Sequence, residues 1–247
     1  MRPYHCLPID ANTKAYYRFG ERLDLLDLSG NGYTLTAYNG AALSEHGVVL
    51  DATAAKYAQT AAAINLFGAT AVTLEAWERW AGSDPAAGVY RQVATWQSST
   101  PTQYIYIFLQ GQAGGIPALW TQARIGTTPT NSARSVQLTS EQWAAMKAGE
   151  FHIETIVDIS AGKHELYLNG VQIISANVAF PAIASANGYV LLGWTSSAST
   201  WIGTIDEVRL STVARHTAAF VPRRFTDGQR AGIRGPGLEL ATAGAIV

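Results

Sequence analysis

Cysteine is nearly absent from this chain: Cys6 is the single one in 247 residues. One thiol excludes an intrachain disulfide and any cysteine-based metal cluster. Charge is scarce too. Charged residues make up 14% of the chain against 48% hydrophobic, which excludes a solvated, disordered polymer. The surface must be finished with Ser, Thr, Asn, Gln, Gly and Ala. A formal net charge of -1 gives no long-range attraction to nucleic acid or to an anionic membrane, and the four arginines Arg223, Arg224, Arg230 and Arg234 make only a mildly positive tail. No segment reaches the roughly 20 apolar residues that span a bilayer, so neither nucleic acid nor membrane insertion is expected. The opening MRPYHCLPIDANTK lacks the apolar run of a secretion signal; this composition permits exit from the cell of synthesis inside an assembled particle.

Motifs of catalysis are missing as well. His5, His46, His152, His164 and His216 have no HExxH spacing, no GxSxG elbow precedes a helix, and no GxxxxGK[ST] loop is present. Gly111, Gly114 and Gly115 read as a turn between strands.

What is there is strand. Residues 72–80, VTLEAWERW, alternate Val72, Leu74 and Ala76 with Thr73, Glu75 and Trp77, the period of a half-buried strand. YIYIFL (residues 104–109) is apolar on both faces and reads as a central or covered strand. Residues 151–159 place Ile153, Thr155, Val157 and Ile159 on one face. In KHELYLNGVQII, Asn169-Gly170 suits the positive φ values of a two-residue hairpin turn. Further strands fall at 15–19, 189–194 and 204–210, and Ser29-Gly30-Asn31-Gly32 is strong turn chemistry. One short surface helix is expected after Thr139, with Gln142 completing a capping box, Trp143 and Met146 facing the core and Gly149 ending it. With no βαβ rhythm, these elements predict an all-β fold: a two-sheet antiparallel sandwich.

Strand alternation also sorts the acids. Asp206 and Glu207 in WIGTIDEVRL point to opposite faces, so they cannot serve one substrate as a glycosidase pair. Glu207 joins Arg209 as an outward pair. Asp206 joins Val208 and Leu210 on the core face, where a carboxylate needs either a cation such as calcium or a set of donors, N–H groups or an arginine. Glu75 and Glu78 fall on opposite faces. Glu154 and Asp158 share one, either as candidates for a surface site or simply as solvent-side residues beside His152.

Aromatic side chains beside loop amides are the usual solution for holding a sugar ring, which offers apolar patches along with hydroxyls. Trp96, Trp120, Trp194 and Trp201 lie in or beside TWQSSTPTQ, PALWTQ, GWTSSAST and STWIG, and are the candidate carbohydrate-binding residues.

Several segments, in order, resemble the laminin G-like (LamG, pentraxin-like) jelly-roll domains of the concanavalin A-like lectin/glucanase superfamily. They are AYYRF followed by DLSGNGYTL, VVLDATAAKYAQT, VTLEAWERW, HELYLNGVQI and the closing GTIDEVRLSTVAR. The resemblance covers roughly residues 14–222, with an N-terminal extension at 1–13 and an extended tail at 223–247. It implies a jelly roll, and a structural calcium held by Asp206 with Asp27 or its turn as a further contributor. The compact E-x-D-x-E catalytic motif of the glucanase relatives is missing, so no enzyme activity is expected. The ending VARHTAAFVPR resembles the ARYTANFTPP ending of phage and prophage versions found in tail-fibre and other virion proteins. The resemblance thus implies a phage virion component that contacts host glycans or neighbouring virion proteins as a homo-oligomer. The alternatives are a free-standing, calcium-dependent sugar-binding module and, behind it, a glycoside hydrolase.

Overall fold

A computed structural model describes residues 9–222 apart from 52–54, 100–101, 184–186 and 195–198. The expectations for residues 1–8 and for the tail 223–247 lie outside the described residues.

Sixteen strands and two helices follow one another along the described chain. The first sheet contains β1 (Thr13–Tyr17), β3 (Ala42–Ser44), β4 (Gly47–Leu50), β7 (Ala71–Trp80), β12 (Glu150–Asp158), β13 (Lys163–Leu168), β14 (Val171–Asn177) and β16 (Gly203–Ser211). Its order is β14-β13-β12-β7-β16-β4-β3, with β1 also paired to β16. The second contains β2 (Leu35–Tyr38), β5 (Tyr57–Thr60), β6 (Ile64–Asn65), β8 (Tyr90–Ser98), β9 (Tyr104–Gln110), β10 (Ala118–Ile125), β11 (Thr130–Gln137) and β15 (Asn187–Gly193). Its order is β11-β10-β9-β8-β15-β5-β2, with β6 beside β15. The ladders are antiparallel throughout, and neighbours in space are often distant in sequence, as β7 is from β12 and β16. This is the two-sheet antiparallel sandwich that the strand patterns predict, in the jelly-roll form that the resemblance implies.

Alternation decides what lies between the sheets. Val72, Leu74, Ala76 and Trp80 of β7 and Ile153, Val157 of β12 meet Ile105, Ile107 and Leu109 of β9 and Leu119, Ala123 and Ile125 of β10 in one buried cluster. A polar bridge crosses the interior: His164 of β13 is held by Thr121 at 2.8 Å and Ser132 at 2.9 Å, both on the opposite sheet, and Thr121 also meets Thr155 of β12 at 2.6 Å. Asn169 and Gly170 turn from β13 to β14 with φ of 49° and 75°, both left-handed, as the Asn-Gly signal requires.

Helix α2 (Ser140–Ala148) begins with the capping box of Thr139 and Gln142 and buries Trp143 and Met146. The one-turn helix α1 (Phe19–Arg22) was not legible: AYYRF ends as a strand at Tyr17, and its last residue starts this turn. No helix among the described residues is long and apolar enough to cross a membrane.

Candidate functional site

The outer face of the second sheet carries a cavity of about 390 Å³. Its floor comes from β9 and β10. In YIYIFL the aliphatic Ile105, Ile107 and Leu109 fill the core, so Tyr104, Tyr106 and Phe108 are turned outward by the two-residue period. On β10 the same phase turns Trp120 and Gln122 outward beside them. Phe108 stacks on Trp120 with ring centres 5.7 Å apart, and Tyr90 meets Phe108 edge-on at 5.3 Å. Tyr104 stacks on Tyr106 at 4.2 Å, and Trp194 closes edge-on over Tyr106 at 6.0 Å. Trp194 is placed by the segment after β15: Thr200 Oγ1 donates to its carbonyl at 2.5 Å, and Ser199 accepts from the Gln92 N–H at 2.7 Å.

The polar groups of this face are amides, hydroxyls and phenols, and several are fixed. Tyr106 donates to Gln97 Oε1 at 2.7 Å, while Gln122 donates to the Tyr104 phenol at 3.0 Å. Burial and neighbouring Tyr104 push the Tyr106 phenol well above its ordinary range, so it remains an O–H donor. The lining residues include no Asp, Glu, His, Lys or Arg. Such a surface can stack on a ring and exchange hydrogen bonds with hydroxyls, but holds no pair of carboxyl groups for acid–base chemistry.

Of the four tryptophans singled out in the sequence, the structure brings two to this groove, Trp120 and Trp194. The other two need correction. Trp96 is fully buried, on the interior phase of β8 opposite Ile105, and its indole N–H reaches the Ile64 carbonyl at 3.4 Å. Trp201 is also fully buried, edge-on to Trp80 at 4.9 Å and Phe151 at 6.2 Å. Neither ring has a face free for a ligand; polar neighbours in sequence did not distinguish a loop residue from a core anchor. Sequence reasoning missed Tyr90, Gln92, Tyr106, Phe108 and Gln122. A signal for Tyr106 and Phe108 was present: YIYIFL puts every ring on one face and every aliphatic on the other.

The two aspartates expected to hold calcium are acceptors of N–H and O–H donors. Asp206 Oδ1 accepts from the Phe19 and Gly20 N–H groups at 2.7 and 3.3 Å, fixing the start of α1. Asp27 accepts from the Tyr16 and Ser29 N–H groups through Oδ1 and from Tyr33 N–H and Ser29 hydroxyl through Oδ2, at 2.8–3.0 Å, and so shapes the SGNG turn. Donors aimed at a carboxylate do the work a cation would do. This donor set does not fit a calcium ion shared by the two.

The phase of IDEVR also differs from strict alternation. Asp206 pairs with Trp77, but the next pairing is Arg209 with Glu75, and Glu207 takes φ of 46°. The extra residue is a β-bulge. It puts Ile205, Val208 and Leu210 together in the core and sends Asp206 and Arg209 to the outer face. Arg209 is not an exposed partner of Glu207. It is 1% exposed and grips Glu75 Oε1 through Nε at 2.6 Å and through a terminal nitrogen at 2.5 Å.

That outer face of the first sheet is covered rather than open. Residues 212–222 cross it as a strap: Thr73 Oγ1 donates to the Val213 carbonyl at 2.7 Å and accepts from the Arg215 N–H at 3.1 Å, and the Phe220 N–H reaches the Gly170 carbonyl at 2.9 Å. Beneath the strap lie Glu75, His152 and Glu154, all buried. His152 Nε2 meets Glu75 Oε2 at 3.1 Å, and His216 Nδ1 from the strap meets Glu154 Oε2 at 2.7 Å. Glu154 and His152 are thus not solvent-side residues, because the strap takes the place of water. Glu75 is held well down, against the cost of burial, by Arg209 and His152. Glu154 is pushed well up by burial and by Glu75. Among the described residues, these three side chains form a group that could hold a metal ion.

Comparison with known proteins agrees with this architecture. The family model Laminin_G_3, of the concanavalin A-like lectin/glucanases superfamily, matches residues 52–219. No curated protein matches the chain in sequence. The botulinum neurotoxin serotype D/C (VPI 5993) binding domain is similar in structure with a TM-score of 0.62 and 11% identity, over 85% of this chain and 50% of that one. A structure of botulinum neurotoxin type C, whose cell entry is described as dependent upon interaction with two ganglioside molecules, gives a TM-score of 0.60 at 10% identity over 84% and 49%. This chain spans about half the length of these toxin domains. Domain 4 of AbnA, a GH43 extracellular arabinanase from Geobacillus stearothermophilus, in complex with arabinotriose, gives a TM-score of 0.53 at 20% identity over 81% and 92%.

Proposed function

The chain belongs to the concanavalin A-like lectin/glucanases superfamily, and we propose that it is a glycan-binding module that holds an uncharged sugar chain in the groove of its second sheet. The observation that carries this reading is the groove itself: an aromatic floor of Tyr106, Phe108 and Trp120, a Trp194 wall, and Gln92, Gln122 and Ser199 at hand for hydroxyls. Its volume of about 390 Å³ falls in the roughly 300–1,000 Å³ range of small-ligand sites. The neutral sugar bound by one structural neighbour, arabinotriose, supports the same reading. The protein binds without hydrolysing, because a glycosidase needs two carboxyl groups about 5–10 Å apart and the groove lining supplies none.

The setting we propose is a phage virion, with other virion proteins, further copies of this chain and host glycans as partners. The resemblance of VARHTAAFVPR, which forms most of the strap, to the ending of phage relatives supports it. Mass spectrometry of purified particles from the producing host tests this setting; a chain recovered only from the unassembled fraction counts against it.

Calorimetric titration with neutral oligosaccharides, arabinotriose among them, tests the site. Trp194→Ala is expected to weaken binding by about 2 kcal/mol, or roughly 30-fold in Kd. A sugar that binds the variant as well as the natural chain would place the site elsewhere.

A further inference from the structure

The buried polar group under the strap is outside the sugar groove, on the other sheet, and nothing in glycan binding uses it. We propose that Glu75, His152 and Glu154 form a site for a divalent ion of the zinc class, and that His216, hydrogen-bonded to Glu154, couples this site to the strap.

Geometry comes first. One ligand atom from each of Glu75, His152 and Glu154 lies within 4.8 Å of the others. Ligands about 2.0–2.2 Å from a tetrahedral ion stand a little over 3 Å from each other, and Glu75 Oε2 and His152 Nε2 are 3.1 Å apart. His216 Nδ1 is 2.7 Å from Glu154 Oε2, a hydrogen bond by which the strap would hold this ligand from the outer shell. One imidazole and two carboxylates, with a fourth position for water, suit zinc in number and kind. Calcium, which takes six to eight oxygens, does not match them.

Unfilled valence points the same way. Glu154 Oε1 is a buried side-chain atom without a hydrogen-bond partner, and its residue is 0% exposed. Arg209 grips Glu75 Oε1 and leaves Oε2 toward His152. A carboxyl group buried as fully as Glu154 needs a proton or a cation, and an ion that displaces the proton would take its place. The same grip orients Glu75, as an outer-shell partner does for a metal ligand.

The surroundings exclude water. Phe220 lies flat on His216 with ring centres 3.5 Å apart and edge-on to His152 at 5.8 Å, while Trp77 meets His152 at 5.4 Å. A bound ion would join β7 to β12 and fix the Glu154 carboxylate that His216 of the strap meets. Its function is to fasten 212–222 to the first sheet.

The test uses the full chain stripped with a chelator and titrated with ZnCl2 against a chromophoric zinc indicator. We expect one ion per chain, slower proteolysis within 212–222 in zinc, and an intense visible spectrum of tetrahedral type when Co²⁺ replaces it. His216→Ala, a change on the strap rather than in a sheet, should cut zinc affinity about 100-fold and remove the protection. Glu154→Gln should do the same, while His46→Ala, exposed and far along the chain, should leave both unchanged. Zinc binding that is absent, that survives His216→Ala at full affinity, or that is lost with His46→Ala overturns the proposal.

Discussion

The outer faces of the two sheets are built from the same kind of alternating strand and end up as opposites. On the second sheet the outward positions that line the groove are chiefly rings and amides, and they stay open. On the first they are Glu75, His152, Glu154 and Arg209, and they are buried. The difference is made by the strap at 212–222. A charged face that is covered must satisfy its groups internally, and Arg209, His152 and His216 do so in pairs. An uncharged face needs no such cover, and its aromatic surface remains available for a ligand. Burial here is a property of which segment folds back, not of the residue types in the strand.

The largest effect should come from breaking the covered face. Arg209→Ala leaves Glu75 buried with one cation fewer, and is expected to destabilise the fold by about 3–5 kcal/mol in chemical denaturation.

Acid should act next, through the interior between the two faces. Burial and, less, nearby Arg134 push the His164 ring down from 6.5 to about 3, whereas in the unfolded chain it takes a proton below about 6.5. Between those values the unfolded state binds more protons. Stability from this group is therefore full above about pH 6.5 and is lost as pH falls toward 3, by up to ~1.4 kcal/mol per unit. Replacing His164 with Gln should flatten that part of a pH–stability curve; a slope unchanged by His164→Gln would assign it to other groups.

Lifting the strap should cost less. A Cβ at Gly170 would meet the Phe220 carbonyl oxygen, and its φ is +75°, so Gly170→Ala is expected to destabilise by about 1–3 kcal/mol and to speed cleavage within 212–222. The smallest effect on stability belongs to the open face. Trp194→Ala should shift the unfolding free energy by no more than about 0.5 kcal/mol, in contrast to its effect on sugar binding.

Much of the sandwich was legible because strands write their own faces: VTLEAWERW, the Asn169-Gly170 turn and the Thr139 cap all act over a few residues. The covered face was not legible. His152 meets Glu75 across 77 positions and His216 meets Glu154 across 62, and no local spacing encodes a strap that returns over a sheet. IDEVR misled through one residue: the bulge at Glu207 exchanged the faces of Asp206 and Ile205. At the groove, Trp120 and Trp194 were found by their polar neighbours, but the same rule chose Trp96 and Trp201. Strand phase, which separates the rings of YIYIFL from its aliphatics, is the better guide.

The central claim is that the open face binds uncharged sugar. A glycan array probed in parallel with the natural chain, Trp194→Ala and Trp120→Ala tests it most directly. The account predicts retention of neutral oligosaccharides by the natural chain and loss of that signal in both variants, with folding intact. Retention confined to acidic glycans, or a neutral-glycan signal that survives both substitutions, would contradict it.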